Sequence, residues 1–240
     1  ARIDQLAERA REAFTVPGLA LAIVQDDQVV HLAGYGVRDV KTRAPLTPDS
    51  LFEIASTTKA FTAAAVAMMA DEKKLQWDDP VRQHLEYFRL ADPLANENVT
   101  IRDLLCHRTG LSRHDNLWLR TPFSREDIIR RIGFVPLAKP FRQEYQYQNI
   151  MFLTAGELAA KAAGLSWDDF MRQRFFEPLA MKRTTTRHAE AVAQSDRAMP
   201  HRKSRGGAVE SFEWINYDNV GAAGAINSSA RDLANWVRLQ

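Results

Sequence analysis

The chain has 240 residues, of which 45% are hydrophobic, 26% charged and 9% aromatic, a balance that excludes disordered, collagenous and coiled-coil classes. At this length one large domain or two small ones are expected. Basic residues (32) nearly match acidic ones (30), and the signs interleave, as in Arg125-Glu126-Asp127-Ile128-Ile129-Arg130-Arg131, so the charge carries no nucleic-acid footprint.

In chain order, Ile3, Leu6, Ala7, Ala10 and Phe14 share one face at helical spacing, and Pro17-Gly18 stops that helix. Residues 19–24 and 29–35 are β-rich runs around Gln25-Asp26-Asp27-Gln28, which predicts an antiparallel hairpin. Turn residues fill 37–50 and residues 51–55 are extended. Residues 57–75, without Gly or Pro, form a long helix whose small side chains suit a deep position. The longest apolar stretch, residues 60–70, is broken by Thr62 and is too short to span a bilayer.

From there to about residue 180 the pattern is helical. Thr100, Ser124 and Ser166 each stand three residues before an aspartate, the signature of a capping box, and Gly110 and Gly164 are placed as C-caps. Cys106, the single cysteine, follows Leu104-Leu105 and is expected to be a small buried apolar residue. Residues 184–224 read as loops with short extended pieces such as 208–214, and a last helix runs from about Ser229, three before Asp232, to Gln240. The architecture expected is α/β, with an antiparallel sheet domain flanked by helices (1–72 and 215–240) and a mainly helical domain (73–214). Its ending has no strands left to complete the sheet.

Ser56-Thr57-Thr58-Lys59 lies where the extended segment meets the long helix. At i and i+3 the Lys59 ammonium reaches back to the Ser56 hydroxyl, a nucleophile and base pair if burial depresses the lysine. The helix start also offers the Ser56 N–H to a developing oxyanion. The same four residues describe equally an N-capping serine with a solvated lysine one turn later. A proton-carrying phenol is available at Tyr147-Gln148-Asn149, where an extended backbone turns Tyr147 and Asn149 to one side, and again at Tyr217-Asp218-Asn219. Periodicity does not choose between them, and either is also a strand-end tyrosine with a capping asparagine. His114-Asp115 reads either as a cleft-lining, substrate-binding pair or as an exposed loop. The six histidines lack zinc-ligand spacing, and no serine sits in a Gly-x-Ser-x-Gly elbow.

Taken together, the run from Ser56 to Lys59, Asp103-Leu104-Leu105-Cys106-His107-Arg108-Thr109-Gly110-Leu111, Tyr147-Gln148-Asn149, Phe176-Glu177-Pro178-Leu179-Ala180-Met181 with Thr184, and 221–229 before Asp232 resembles the serine β-lactamase-like family. That family includes class C β-lactamases, D-Ala-D-Ala carboxypeptidases, esterases and D-aminopeptidases. The resemblance favours Tyr147, which follows Ser56 by 91 residues, over Tyr217. It implies that Ser56 is the acylated nucleophile, Lys59 its base partner, Tyr147 the phenol relaying a proton to the leaving group, and Asn149 a group orienting substrate or Lys59. It further implies an acyl-enzyme acting on a β-lactam, a D-amino-acid peptide, another amide or an ester, in a cleft between the two domains and without metal or organic cofactor.

The family's third motif, Lys or His, a small residue, then Gly on a strand walling the site, is absent, and His107-Arg108-Thr109-Gly110 matches a separate helix-end motif. The expectation is that these residues correspond to the first two-thirds of the fold. The remainder is then expected in a further C-terminal segment or a second chain, or the form is a truncated one acting as a non-catalytic penicillin-binding module. The start without Met fits a processed exported protein or an artificially expressed one, and family habit implies a periplasmic or secreted place, a cytoplasmic one remaining open.

Overall fold

The structure is a computed structural model and describes residues 2–240. It runs α1 (Arg2–Ala13), β1 (Gly18–Gln25), β2 (Gln28–Gly36), β3 (Phe52–Glu53), α2 (Thr58–Asp71), α3 (Val81–His84), α4 (Pro93–Asn98), α5 (Ile101–Leu105) and α6 (Arg125–Arg131). Then come α7 (Asn149–Ala163), α8 (Trp167–Met171), α9 (His188–Ala193), β4 (His201–Lys203), β5 (Val209–Ser211), α10 (Gly221–Gly224), β6 (Asn227–Ser228) and α11 (Ala230–Leu239).

The capping signals act where they were read. Thr100 and Ser124 form full capping boxes with Asp103 and Asp127, and Ser166 and Ser229 accept the backbone N–H of Asp169 and Asp232. Gly164 ends α7 in the left-handed region at φ 71°. Gly110 does not cap a helix. Its carbonyl accepts from Ala138 and Lys139, and a Cβ there would stand 2.2 Å from the Lys139 carbonyl oxygen, so glycine is needed for a close backbone approach. Cys106 is exposed, contrary to expectation. It follows the last turn of α5, and the left-handed His107 after it (φ 54°) turns the chain so that His107 takes the buried position.

The chain folds into two compact units. One holds the residues up to Glu53 with 172–215 and 227–240; the other holds 54–171 and 216–226. These divisions differ from those drawn on the sequence. α2 groups with the helices because its small side chains let it pack against α7 and α10. Residues 172–215 group with the sheets because α9 and Trp214 build a core with Leu51.

The sheet unit contains three antiparallel pairs, β1–β2, β3–β6 and β4–β5. The β1–β2 turn has Asp26 and Asp27 at φ 49° and 59°, the doubly left-handed pair that a two-residue hairpin requires. β4, of three residues, and β6, of two, are too short to carry a periodic signal. On α1 only Ala7 is buried, while Leu6, and Phe14 just past the helix end, stay exposed. Phe175 meets Trp236 of α11 edge-on.

The helical unit is organised by α7, buried on nearly every side. Around it Phe61, Phe88, Leu104, Ile128 and Phe170 are fully buried. The buried Asp103 carboxylate accepts from Arg108 and from Arg142, 2.5 and 2.7 Å away. Burial raises its pKa, but these two guanidiniums and Thr100 outweigh that and hold it below the carboxylate range. Among the described residues no helix is long and apolar enough to cross a membrane.

Candidate active site

Ser56 occupies a single 3-10 turn, Ala55–Thr57, set directly before α2. Ala55 is held at φ 45°, an unfavourable conformation for a residue with a Cβ, and it turns the chain sharply from β3 into the helix. No side chain caps this turn or α2, so the capping reading of Ser56 fails. The solvated reading of Lys59 fails too, since Lys59 is only 8% exposed. Ser56 itself is exposed, so an accessible hydroxyl stands over a buried amine.

Three acceptors surround the Lys59 Nζ: Ser56 Oγ at 3.0 Å, Asn149 Oδ1 at 2.9 Å and the Ala223 carbonyl at 2.8 Å. The Tyr147 hydroxyl donates to Ser56 Oγ at 2.7 Å. The structure therefore brings Ser56, Lys59, Tyr147 and Asn149 together. Gln148, between Tyr147 and Asn149, turns the other way, as an extended backbone dictates; its side chain donates to the Ser112 carbonyl and accepts the Ile150 N–H at 2.8 Å. The cap of α7 is thus Gln148 and not Asn149. Tyr217 lies on the wall of the same cleft with its ring 6.0 Å from Trp118.

The cleft has a volume of about 170 Å³, with Ser56, Arg113, Trp118, Asn149, Tyr217 and Ala223 in its lining. All its lining residues belong to the helical unit. Of the pair His114-Asp115, Asp115 accepts the Asn149 Nδ2 at 3.1 Å, while the His114 ring bonds Ser112 Oγ at 2.9 Å and is absent from the cleft lining. Among the described residues no group of three His, Cys, Asp or Glu side chains is placed to hold a metal ion.

The electrostatics follow from burial and from charges at close range. Burial lowers the pKa of Lys59, Arg113 lowers it further, and the attraction of Tyr147 and Asp115 only partly offsets this. Burial pushes the Tyr147 phenol up, but interactions with Lys59 and Ser56 and the charge of Arg113 outweigh it and bring it below the usual tyrosine range. His107 lies under Tyr147 with ring centroids 4.4 Å apart and accepts the Gln148 N–H at 3.0 Å. Burial, aided by the charge of Lys59, holds His107 down to about 4, so at neutral pH it is an uncharged brace.

Arg113, His107 and the Ala223 carbonyl carry no site role in the sequence reading, whereas Trp118, an aromatic expected as core or cleft wall, does line the cleft. Arg113 directly precedes the His114-Asp115 pair, but a backbone carbonyl contributed from 164 residues away is not specified by any side-chain pattern. α10 delivers it: the Ala222 carbonyl accepts from Thr62 Oγ1 at 2.7 Å, and Gly156 on α7 leaves room for the Ala222 methyl.

A sequence profile of the beta-lactamase family matches residues 3–240. The unguisins hydrolase ungD' of Aspergillus campestris is 32% identical over 97% of this chain and 45% of its own length, so the chain spans about half of that relative. The octameric penicillin-binding protein homologue of Pyrococcus abyssi superposes with a TM-score of 0.85 at 26% identity, covering 99% of this chain and 55% of the other. D-amino acid amidase of Ochrobactrum anthropi superposes with a TM-score of 0.80 at 25% identity, covering 97% and 67%.

Proposed function

The chain belongs to the beta-lactamase family, and on that premise we propose that it carries the acyl-transfer centre of a serine hydrolase, with Ser56 as nucleophile, Lys59 as base and Tyr147 as proton donor. The observation that carries this reading is that Lys59 Nζ at 3.0 Å and Tyr147 OH at 2.7 Å converge on one exposed hydroxyl. Asn149 Oδ1 and the Ala223 carbonyl can only accept hydrogen bonds. A neutral Lys59 spends its two N–H groups on them, and its lone pair is left facing Ser56.

The steps then balance. Ser56 Oγ attacks the acyl carbon while its proton passes to the Lys59 lone pair. The oxyanion forms beside the Ser56 N–H at the start of the helix, where N–H groups lack intrahelical acceptors, and under the positive charges of Lys59 and Arg113. Collapse breaks the bond to the leaving group, which takes the Tyr147 proton, and Lys59 restores that proton to the phenolate. Water repeats the sequence on the acyl-Ser56 ester and releases the acid.

For the substrate we infer an amide or peptide bond with a compact acyl portion. Support comes from the small cleft with Trp118 and Tyr217 on its wall and from the hydrolase and amidase among the relatives. The test is incubation with a fluorescent fluorophosphonate and a fluorescent penicillin, beside Ser56→Ala. Ser56-dependent labelling by both probes is expected, with hydrolysed penicillin released from the acyl-enzyme. Labelling without release points to the binding-module alternative that the penicillin-binding homologue suggests, and absence of Ser56-dependent labelling overturns the serine reading.

A further inference from the structure

The Asn149 side chain is clamped between two groups of opposite demand. Lys59 Nζ donates to its Oδ1 at 2.9 Å, and Asp115 Oδ1 accepts from its Nδ2 at 3.1 Å. An ionised carboxylate only accepts. Turning the amide end for end would set its NH2 against the lysine and its oxygen against the carboxylate, so the contact with Asp115 selects one of the two orientations. Asp115 is in turn held by the Trp118 Nε1 at 3.1 Å on Oδ1 and by Arg113 Nε at 2.8 Å on Oδ2. Its two oxygens thus have partners within the protein, and it is absent from the cleft lining.

We propose that Asp115 is a positioning residue that acts through Asn149: it keeps the amide oxygen turned to Lys59, and the lone pair of Lys59 thereby stays aimed at Ser56. This rests on the reading of Lys59 as the base. It departs from the substrate-binding role expected of Asp115, because the carboxylate faces Asn149 instead of the cleft. The turn at 115–117 is thereby coupled to the nucleophile without touching substrate.

The charged and titratable groups that bear on Lys59 are Tyr147, Arg113, Asp115 and His107. Of these Asp115 is the acid whose charge favours the ammonium. Its removal therefore moves the rising limb of the pH profile to lower pH, a displacement that a purely structural defect does not produce.

The experiment measures the rate of fluorophosphonate labelling of Ser56 against pH in the wild-type chain, Asp115→Ala, Asp115→Asn, Asn149→Ala and the double variant D115A/N149A. Asp115→Ala is expected to label roughly tenfold more slowly on the plateau, the cost of one lost orienting hydrogen bond, with the limb displaced to lower pH. The double variant labels no more slowly than Asn149→Ala, since the effect of Asp115 passes through that amide. Should Asp115→Ala fail to fold by circular dichroism, Asp115→Asn keeps the shape and loses the charge, and carries the same limb displacement with a smaller fall in plateau. Losses that multiply in the double variant, or a limb that stays in place in Asp115→Asn, overturn the positioning role while leaving the hydrolase reading intact. Labelling that persists in Ser56→Ala overturns the hydrolase reading and this one with it.

Discussion

At Lys59 the decisive quantity is the free energy of its charged form. Removing an ammonium from water disfavours it, and Arg113 close by adds to the effect, so the amine loses its proton below the usual lysine range. A base must be neutral to act; kcat/KM is therefore expected to rise with pH through an apparent pKa below that range. At higher pH it should fall again as Tyr147 loses the proton it donates. A profile that climbs only at ordinary lysine values would place the base elsewhere. Tyr147→Phe removes the donor and is expected to lower the acylation rate by roughly 10²- to 10⁴-fold, read with the fluorescent penicillin, whose leaving nitrogen needs the proton. Tyr217→Phe keeps the ring against Trp118 and is expected to cost far less. A reversed order would transfer the role to Tyr217.

At the scale of elements, the site depends on how closely α10 approaches α2 and α7. The approach is made by small side chains. An added Cβ at Gly156 would stand 2.2 Å from the Ala222 Cβ and 2.9 Å from Trp167 Cδ1, and one at Gly221 would stand 2.6 Å from Arg125 Nη2. Arg125 fixes the other side of the same segment. It donates to the Asp218 carbonyl at 2.8 Å and pairs with Glu157 and Asp168 at 3.2 and 3.0 Å. Gly156→Ala is therefore expected to destabilise the helical unit by about 1–3 kcal/mol, seen as a lower melting temperature. It is also expected to slow acylation, because the Ala223 carbonyl moves away from Lys59. A variant with lowered melting temperature and full acylation rate would show that this carbonyl does not steer the amine.

For the whole molecule, two titratable groups, the buried His107 and the half-buried Glu53, give the two units opposite responses to pH. His107, in the helical unit, has its ordinary value of 6.5 lowered to about 4. The unfolded chain then binds the extra proton first, so this contribution is complete above 6.5 and is lost as pH falls toward 4. Glu53, in the sheet unit, is raised by burial from 4.5 to about 7, the Ile215 N–H opposing the shift. Its contribution is complete below 4.5 and is lost as pH rises through 7. Between pH 5 and 6.5, hydrogen exchange corrected for intrinsic rates is expected to show α7 gaining protection with rising pH while the β3–β6 pair loses it. Changes of the same sign in both would contradict one of the two burial assignments.

Much of this was decided locally. Helix starts at Thr100, Ser124, Ser166 and Ser229 are legible because a capping oxygen and an aspartate three residues on satisfy each other within one turn. The β1–β2 hairpin is legible because its strands alternate around two residues that tolerate left-handed dihedrals. The pairing of Ser56 with Lys59 follows from helical spacing, and the common side of Tyr147 and Asn149 from strand spacing. The family resemblance pointed to Tyr147, and tertiary structure set its hydroxyl on Ser56; tertiary structure alone decided that Asn149 lies between Lys59 and Asp115, and that the Ala223 carbonyl supplies the third acceptor. Those contacts join residues 34 to 164 positions apart, and their existence depends on burial and close packing that no short-range pattern encodes.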